Sequence, residues 1–152
     1  MNFHPGDQLD NFQIEGLVAR SGMASIFRAT DMRSGLQVAI KIPHPDLEAD
    51  PVLFDRFKRE EEIGQKLDHP GVMKVLGGGP RSQVYMVMEW VSGQLLRQVM
   101  REQRILPQAR ALKITIGVCD ALDYIHRNGV VHRDLKPENI MLDADDNVKL
   151  ID

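Results

Sequence analysis

A single cysteine, Cys119, stands among the 152 residues, which excludes an intrachain disulfide and any metal site built from clustered thiolates. No apolar run exceeds a few residues, so the sequence holds no bilayer-spanning helix. Neither charge sign dominates: 19 basic residues against 22 acidic ones give a net charge of −3. That balance speaks against a basic nucleic-acid surface or a polybasic membrane patch. The first ten residues carry Pro5, Gly6 and two aspartates but lack the apolar stretch of a secretion signal. Repeats and low-complexity tracts are missing too, and the one biased stretch, Gly77 to Pro80, is a turn signal. What is present is globular, with 43% hydrophobic and 27% charged residues, in a length suited to one domain. A soluble, cytoplasmic domain with no nucleic-acid partner and no membrane segment is the expectation.

Two halves differ in pattern. Phe12 and Ile14 alternate with polar neighbours, Ile26 to Ala29 follows a loop at Gly22, and Asp31 to Gly35 makes a turn. In Leu36 to Ile42, the residues Leu36, Val38, Ile40 and Ile42 share one face and Gln37, Ala39 and Lys41 the other. Pro43 and Pro45 end that strand. Val72 to Leu76 and Val84 to Glu89 read as two further strands.

Between them the spacing predicts a helix over Val52 to Leu67, with Leu53, Phe57, Ile63 and Leu67 as its buried stripe. Glu60 falls on that stripe and needs a partner there, while Glu61 and Glu62 rotate away. From Leu95 the chain turns helical: a modest helix to Arg101, then a long one over Pro107 to Arg127. Leu112, Cys119, Leu122 and His126 lie near one face of the long helix. Pro107 suits its first position and Asn128-Gly129 its left-handed end. Ile140 to Leu142, the turn Asp143 to Asn147, and Val148 to Ile151 read as a hairpin.

The strongest chemical signal is the run His132-Arg133-Asp134-Leu135-Lys136-Pro137-Glu138-Asn139. An acid and an amide five residues apart around a proline-constrained bend can accept a hydroxyl proton and reach a metal. The run matches the catalytic loop of protein kinases at each defining position, and Val38-Ala39-Ile40-Lys41 matches the family's third-strand motif. On these residues the sequence resembles the eukaryotic-type (Hanks-type) serine/threonine protein kinase family. Lys136 places it in the serine/threonine branch, and Ser21 to Phe27 is most similar to bacterial members.

The resemblance implies an α+β fold: a kinase-like small lobe, an antiparallel sheet plus one helix, joined to the first part of a helical large lobe. Its expected bounds are 1–88 for the small lobe, 89–94 for the hinge and 95–152 for the partial large lobe. It implies ATP and Mg2+, with Mn2+ as an alternate, and transfer of the γ-phosphoryl to Ser/Thr hydroxyls of a protein substrate. Asp134 is then the catalytic base and Lys136 a stabiliser of the transferring phosphate. Lys41 holds the α- and β-phosphates and pairs with Glu60. Asn139 and Asp152 are the metal ligands. Val18, Ser21, Gly22, Ile26, Ala39 and the gatekeeper Met88 line the nucleotide, and the backbone of Glu89 and Val91 reads the adenine.

Two departures from the family accompany the match. Ala19, Ser21 and Ala24 stand where the family writes three glycines, with only Gly22 kept among them. A left-handed backbone at a replaced position carries about 1–2 kcal/mol of strain, equivalent to ATP binding ~5–30-fold weaker. The resemblance also covers nearly the whole chain but only about the first half of a kinase domain, and the terminal Asp152 is expected to fray. The alternative to an active enzyme is a catalytically idle fragment that binds nucleotide or a partner; a small-molecule phosphotransferase is the third reading.

Plainer readings stand beside these. His132 braces its loop, and the other histidines show no metal-ligand spacing. Asp143 to Asn147 only faintly resembles a calcium loop and reads as a solvated turn. Cys119 is expected to be buried, and the methionines fill the core. The long helix carries more apolar surface than its neighbours can cover, which predicts self-association.

Overall fold

The computed structural model describes residues 3–77 and 81–151. The chain divides into two compact units, Met1–Lys66 with Val75–Trp90, and Leu67–Lys74 with Val91–Asp152. The first unit is a six-stranded antiparallel sheet with strand order β1-β2-β3-β4-β6-β5. Its strands are β1 (Gln8–Leu9), β2 (Phe12–Arg20), β3 (Ala24–Asp31), β4 (Gln37–Pro43), β5 (Val75–Leu76) and β6 (Met86–Glu89). Burial of alternate residues forms the core on one face, where Ile14, Phe27, Ile40, Tyr85 and Val87 meet. The turn after β3 closes through the Gly35 N–H to the Asp31 carbonyl at 2.7 Å.

Two helices lie between β4 and β5 in the chain: α1 (Pro45–Ala49) and α2 (Pro51–Lys66). The prolines at 43 and 45 do not simply stop the chain, because Pro45 opens α1 with acidic residues Asp46 and Glu48 in its first turn, an arrangement helix starts favour. Asp50 then accepts the Val52 amide at 3.0 Å and starts α2. Leu36, expected on the core face, lies outside β4 and is 66% exposed. The apolar stripe of α2 is also thinner than its spacing suggests. Phe57 alone is fully buried in that helix, and Leu53 and Ile63 are half-buried.

The second unit holds a small sheet, β7 (Gln94–Leu95), β8 (Ile140–Leu142) and β9 (Val148–Leu150), with helices α3 (Leu96–Glu102) and α4 (Gln108–Arg127). A single 3-10 turn, Pro137–Asn139, leads into β8. The strand expected from Val72 is only Val75–Leu76 in the first sheet. Val72 instead bridges in parallel to Leu150, and the Leu150 N–H donates to the Gly71 carbonyl at 2.8 Å. These bonds place Leu67–Lys74 with the second unit.

In α4 the structure corrects the helical phase. Ile114, Ala121 and Ile125 are buried, while Leu112 and Cys119 are exposed and so is His126. Pro107 is the residue before the first turn rather than within it, and Gly129 at φ +77 ends the helix in the left-handed region. Gly93 lets β7 approach β8: a Cβ on it would stand 2.0 Å from the Leu142 carbonyl oxygen. Among the described residues no helix is long and apolar enough to cross a membrane.

Candidate functional site

In the first unit Lys41 sits on β4, opposite Ile26 of β3 and Met86 of β6. Ala39, two residues earlier, stands opposite Met88. Directly opposed residues of antiparallel strands share a face, so Ile26, Ala39, Lys41 and Met88 form one surface on the side away from the core. Ala39 and Met88 are buried. Lys41 Nζ reaches Glu60 Oε2 at 3.7 Å, with the lysine side chain 17% and the glutamate 52% exposed. The pair is present, but Glu60 is not the inward-pointing residue its position on the stripe predicts.

The neighbouring Glu61 is the better-held glutamate. Its carboxylate accepts Arg81 Nη1 at 2.7 Å, and both side chains are about four-fifths buried. Arg81 also donates to the Tyr85 carbonyl and lies 5.1 Å over the Tyr85 ring. The Tyr85 hydroxyl donates to Asp10 at 2.6 Å. That bond, with the Ser82 amide, holds the Asp10 carboxyl below its ordinary value. Burial, then the bond to Asp10, pushes the Tyr85 hydroxyl up. Periodicity could show neither partner, because Arg81 lies twenty residues from Glu61 and Asp10 lies 75 from Tyr85.

The loop between β2 and β3 closes on itself. The Ser21 hydroxyl oxygen accepts the Ala24 amide at 3.1 Å and the Met23 amide at 3.3 Å, and the Ser21 N–H donates to the Ala24 carbonyl at 2.9 Å. The strain expected from the missing glycines is not there. Ala19, Ser21 and Ala24 all keep negative φ, and so does Gly22. What replaces strain is pairing, since the Ser21 hydroxyl takes up the Met23 and Ala24 amides. Val18 is 53% exposed. It lines an open groove of about 410 Å³ with Glu15, Gly16, Leu17, Arg28 and Trp90, in which the Arg28 guanidinium stacks 4.8 Å over the Trp90 ring.

In the second unit the His132–Asn139 run folds tightly. Asn139 is 7% exposed, and its Nδ2 donates to the Asp134 carbonyl at 2.9 Å and to Asp134 Oδ2 at 3.2 Å. Lys136 Nζ stands 3.3 Å from the same carboxylate oxygen, and the Asp134 side chain remains 66% exposed. The Asp134 amide donates to His132 Nδ1 at 3.2 Å, the bracing role expected of that histidine. Arg133 takes φ +66, and this left-handed residue makes the bend that separates Asp134 from His132. Glu138, within the run, accepts Arg97 Nε of α3 at 2.6 Å, a bond that lowers its carboxyl from the ordinary value. Asp143 accepts the Asn147 amide and side chain at 2.9 and 3.0 Å, and Arg110 holds Asp146 through two bonds of 2.9 and 3.0 Å. The hairpin turn is therefore braced against α4 rather than merely solvated.

Lys41 and Glu60 are thus brought together in the first unit, and Asp134, Lys136 and Asn139 in the second. Glu89 and Val91 fall in different units. Asp152 lies outside the described residues; the Ile151 N–H before it donates to the Asn139 carbonyl at 3.0 Å. Such a set can orient a carboxylate toward a hydroxyl, with an ammonium beside it to meet negative charge.

Comparison with known proteins gives this arrangement a family. The protein kinase domain profile matches residues 12–152. A probable serine/threonine-protein kinase of Streptomyces coelicolor is 40% identical over 93% of this chain, which spans 22% of that relative. Serine/threonine-protein kinase PknB of Mycobacterium leprae is 34% identical over 94% of the chain, which spans 24% of it. Among solved structures, the PknI kinase domain of Mycobacterium tuberculosis superposes with a TM-score of 0.83 at 28% identity, covering 99% of this chain and 61% of that one. The structure described as PpkA-294 in its apo form shares the fold, with a TM-score of 0.85 at 20% identity, covering 99% of this chain and 61% of that one. From its strand-borne lysine to its acid-and-amide loop, the chain belongs to the protein kinase domain family.

Proposed function

We propose that the chain carries the nucleotide-binding and phosphoryl-transfer residues of a serine/threonine protein kinase, acting with ATP and Mg2+ on Ser/Thr hydroxyls of a protein in the cytoplasm. The observation that carries this reading is the Asp134 carboxylate held by Asn139 and Lys136 within one eight-residue loop. Asp134 orients and deprotonates the acceptor hydroxyl, and Lys136 offsets charge on the transferring group. Lys41, held near Glu60, takes the α- and β-phosphates. Ile26, Ala39, Met88 and Val18 supply apolar surface for the base, and Glu89 and Val91 its backbone partners. Ser21 and Gly22 belong to the loop over the phosphates. The proposed bounds are 1–66 with 75–88 for the small lobe, 89–94 for the hinge and 95–152 with 67–74 for the partial large lobe, because 67–74 groups with the second unit.

The donor set suits magnesium in kind. With Asn139 Nδ2 given to Asp134, its amide oxygen is the hard donor such an ion takes, and magnesium completes its shell with few protein ligands plus phosphate and water. Asn139 and Asp152 would hold the ion, which supplies charge neutralisation at the phosphates. Among the described residues no cluster of three or more His, Cys, Asp or Glu side chains offers a protein-only cage.

The test is transfer from radiolabelled ATP to a generic basic protein, comparing the chain with Asp134→Asn and Lys41→Met. Transfer lost in both variants supports the enzyme. The self-paired Ser21 loop favours a second reading, an idle nucleotide-binding member of the family. A magnesium-ATP thermal shift without transfer would establish it. The exposed Leu112, Ile116 and Cys119 on α4 support self-association, and light scattering that finds only monomer at high concentration would refute it.

A further inference from the structure

His44 follows β4 directly, meets the β2–β3 loop twice, at Met23 and Gly22, and meets the start of β3 at Ser25. Its backbone N–H donates to the Met23 carbonyl at 2.8 Å. Ring Nδ1 lies 3.3 Å from the Gly22 carbonyl oxygen, and Nε2 lies 2.9 Å from the Ser25 hydroxyl. A carbonyl oxygen only accepts, so Nδ1 carries the proton, and in the neutral ring Nε2 then accepts from the Ser25 O–H. At the loop tip a Cβ on Gly22 would meet open space, with nothing beyond its own chain neighbours within 4 Å. The bonds through Ser21 close the loop internally, and the strand ladders hold its base, with Arg20 opposite Ser25 and Ala24 opposite Pro43. His44 adds a hold on the tip itself, at Gly22 and Met23, from a position three residues beyond Lys41 in the same segment.

We propose that His44 is a positioning residue for the nucleotide, fixing the Ser21–Ala24 loop in register with Lys41. The inference rests on the kinase reading above. Glycines normally let such a loop mould itself to phosphate. This loop, with alanine and serine in their places, binds by arriving already placed, and the ordering cost is met before the ligand comes.

Two measurements on the whole chain test it: hydrogen exchange of the loop amides without nucleotide, and calorimetric affinity for magnesium-ATP. His44→Ala is expected to speed exchange about tenfold and to weaken magnesium-ATP binding by about five- to tenfold, the scale of two lost hydrogen bonds. His44→Gln, whose amide can both donate and accept, is expected to restore most of each. Ser25→Ala keeps the imidazole and removes one partner; it carries the test if His44→Ala does not fold, with about a two- to threefold effect. Unchanged exchange in His44→Ala overturns the proposal, as does a loosened loop with intact affinity or a glutamine variant no better than alanine. An unaltered chain that binds no magnesium-ATP overturns the kinase reading and this role with it. That outcome is distinct from failure of His44 alone, in which the unaltered chain and His44→Ala bind equally well.

Discussion

Replacing Arg81 by methionine is expected to cost the first unit far more stability than replacing Glu60 by glutamine, although Glu60 is the residue facing Lys41. The Arg81–Glu61 pair meets at 2.7 Å with side chains 19% and 21% exposed. Arg81 adds a bond to the Tyr85 carbonyl and stacks on its ring. Removing it strands a largely buried carboxylate, and hydrogen bonds to charged groups are worth about 1.5–3 kcal/mol, so the loss should be about 2–3 kcal/mol. The Lys41–Glu60 pair is longer, at 3.7 Å, and half of the Glu60 side chain is in solvent; such pairs contribute about 0–1 kcal/mol. Trp90, the one tryptophan, lies in the first unit and reports its urea unfolding by fluorescence. With a slope of about 2 kcal/mol per molar urea, Arg81→Met should lower the midpoint by about 1 M and Glu60→Gln by less than about 0.5 M. Phosphoryl transfer at saturating folded protein should follow the opposite order, with Glu60→Gln the more damaging. Equal midpoint shifts, or a larger one for Glu60→Gln, would refute the assignment of α2 anchoring to Glu61.

Acid stability should report Asp10. Its carboxyl is lowered by the Tyr85 hydroxyl and the Ser82 amide, so its contribution is complete above the unfolded value near pH 3.9. That contribution is lost as pH falls through the lower folded value. Thermal melts of Asp10→Asn should therefore show a lower midpoint at pH 7 and a shallower fall below about pH 4 than the unaltered chain. Gly93→Ala should destabilise the second unit by about 3 kcal/mol, because the added Cβ meets backbone and not a mobile side chain; circular dichroism of the helical signal measures it. Ser21→Gly removes the acceptor that closes the loop and should weaken magnesium-ATP by about three- to tenfold, as read by calorimetry, because the loop no longer arrives placed.

What could be read from the sequence was local. The run from His132 to Asn139 is contiguous, and β4 shows its two faces by alternation, so Lys41, Asp134, Lys136 and Asn139 could be named without coordinates. The limits of α2 came within one residue at each end because Asp50-Pro51 starts it. The phase of α4 was misread for a physical reason. Leu112, Cys119 and His126 recur every seven residues, but apolar side chains populate both faces of that helix, so periodicity does not say which face the core takes. Glu61–Arg81, Arg97–Glu138 and Arg110–Asp146 join residues 20, 41 and 36 apart, and no local pattern announces such partners. The missing glycines are visible in the sequence, but whether a replaced position takes the left-handed geometry that would carry strain is not. Only the folded loop shows that serine can close it with ordinary φ angles.

The amide of Asn139 grips both the main chain and the carboxylate of Asp134, and this has a bearing on tolerance to motion. Any drift of the 3-10 turn that carries Asn139 carries Asp134 with it, so their errors in position are shared and their separation is conserved. A loop with two-thirds of its acid in open water can therefore wander as a body yet keep this acid and amide in alignment.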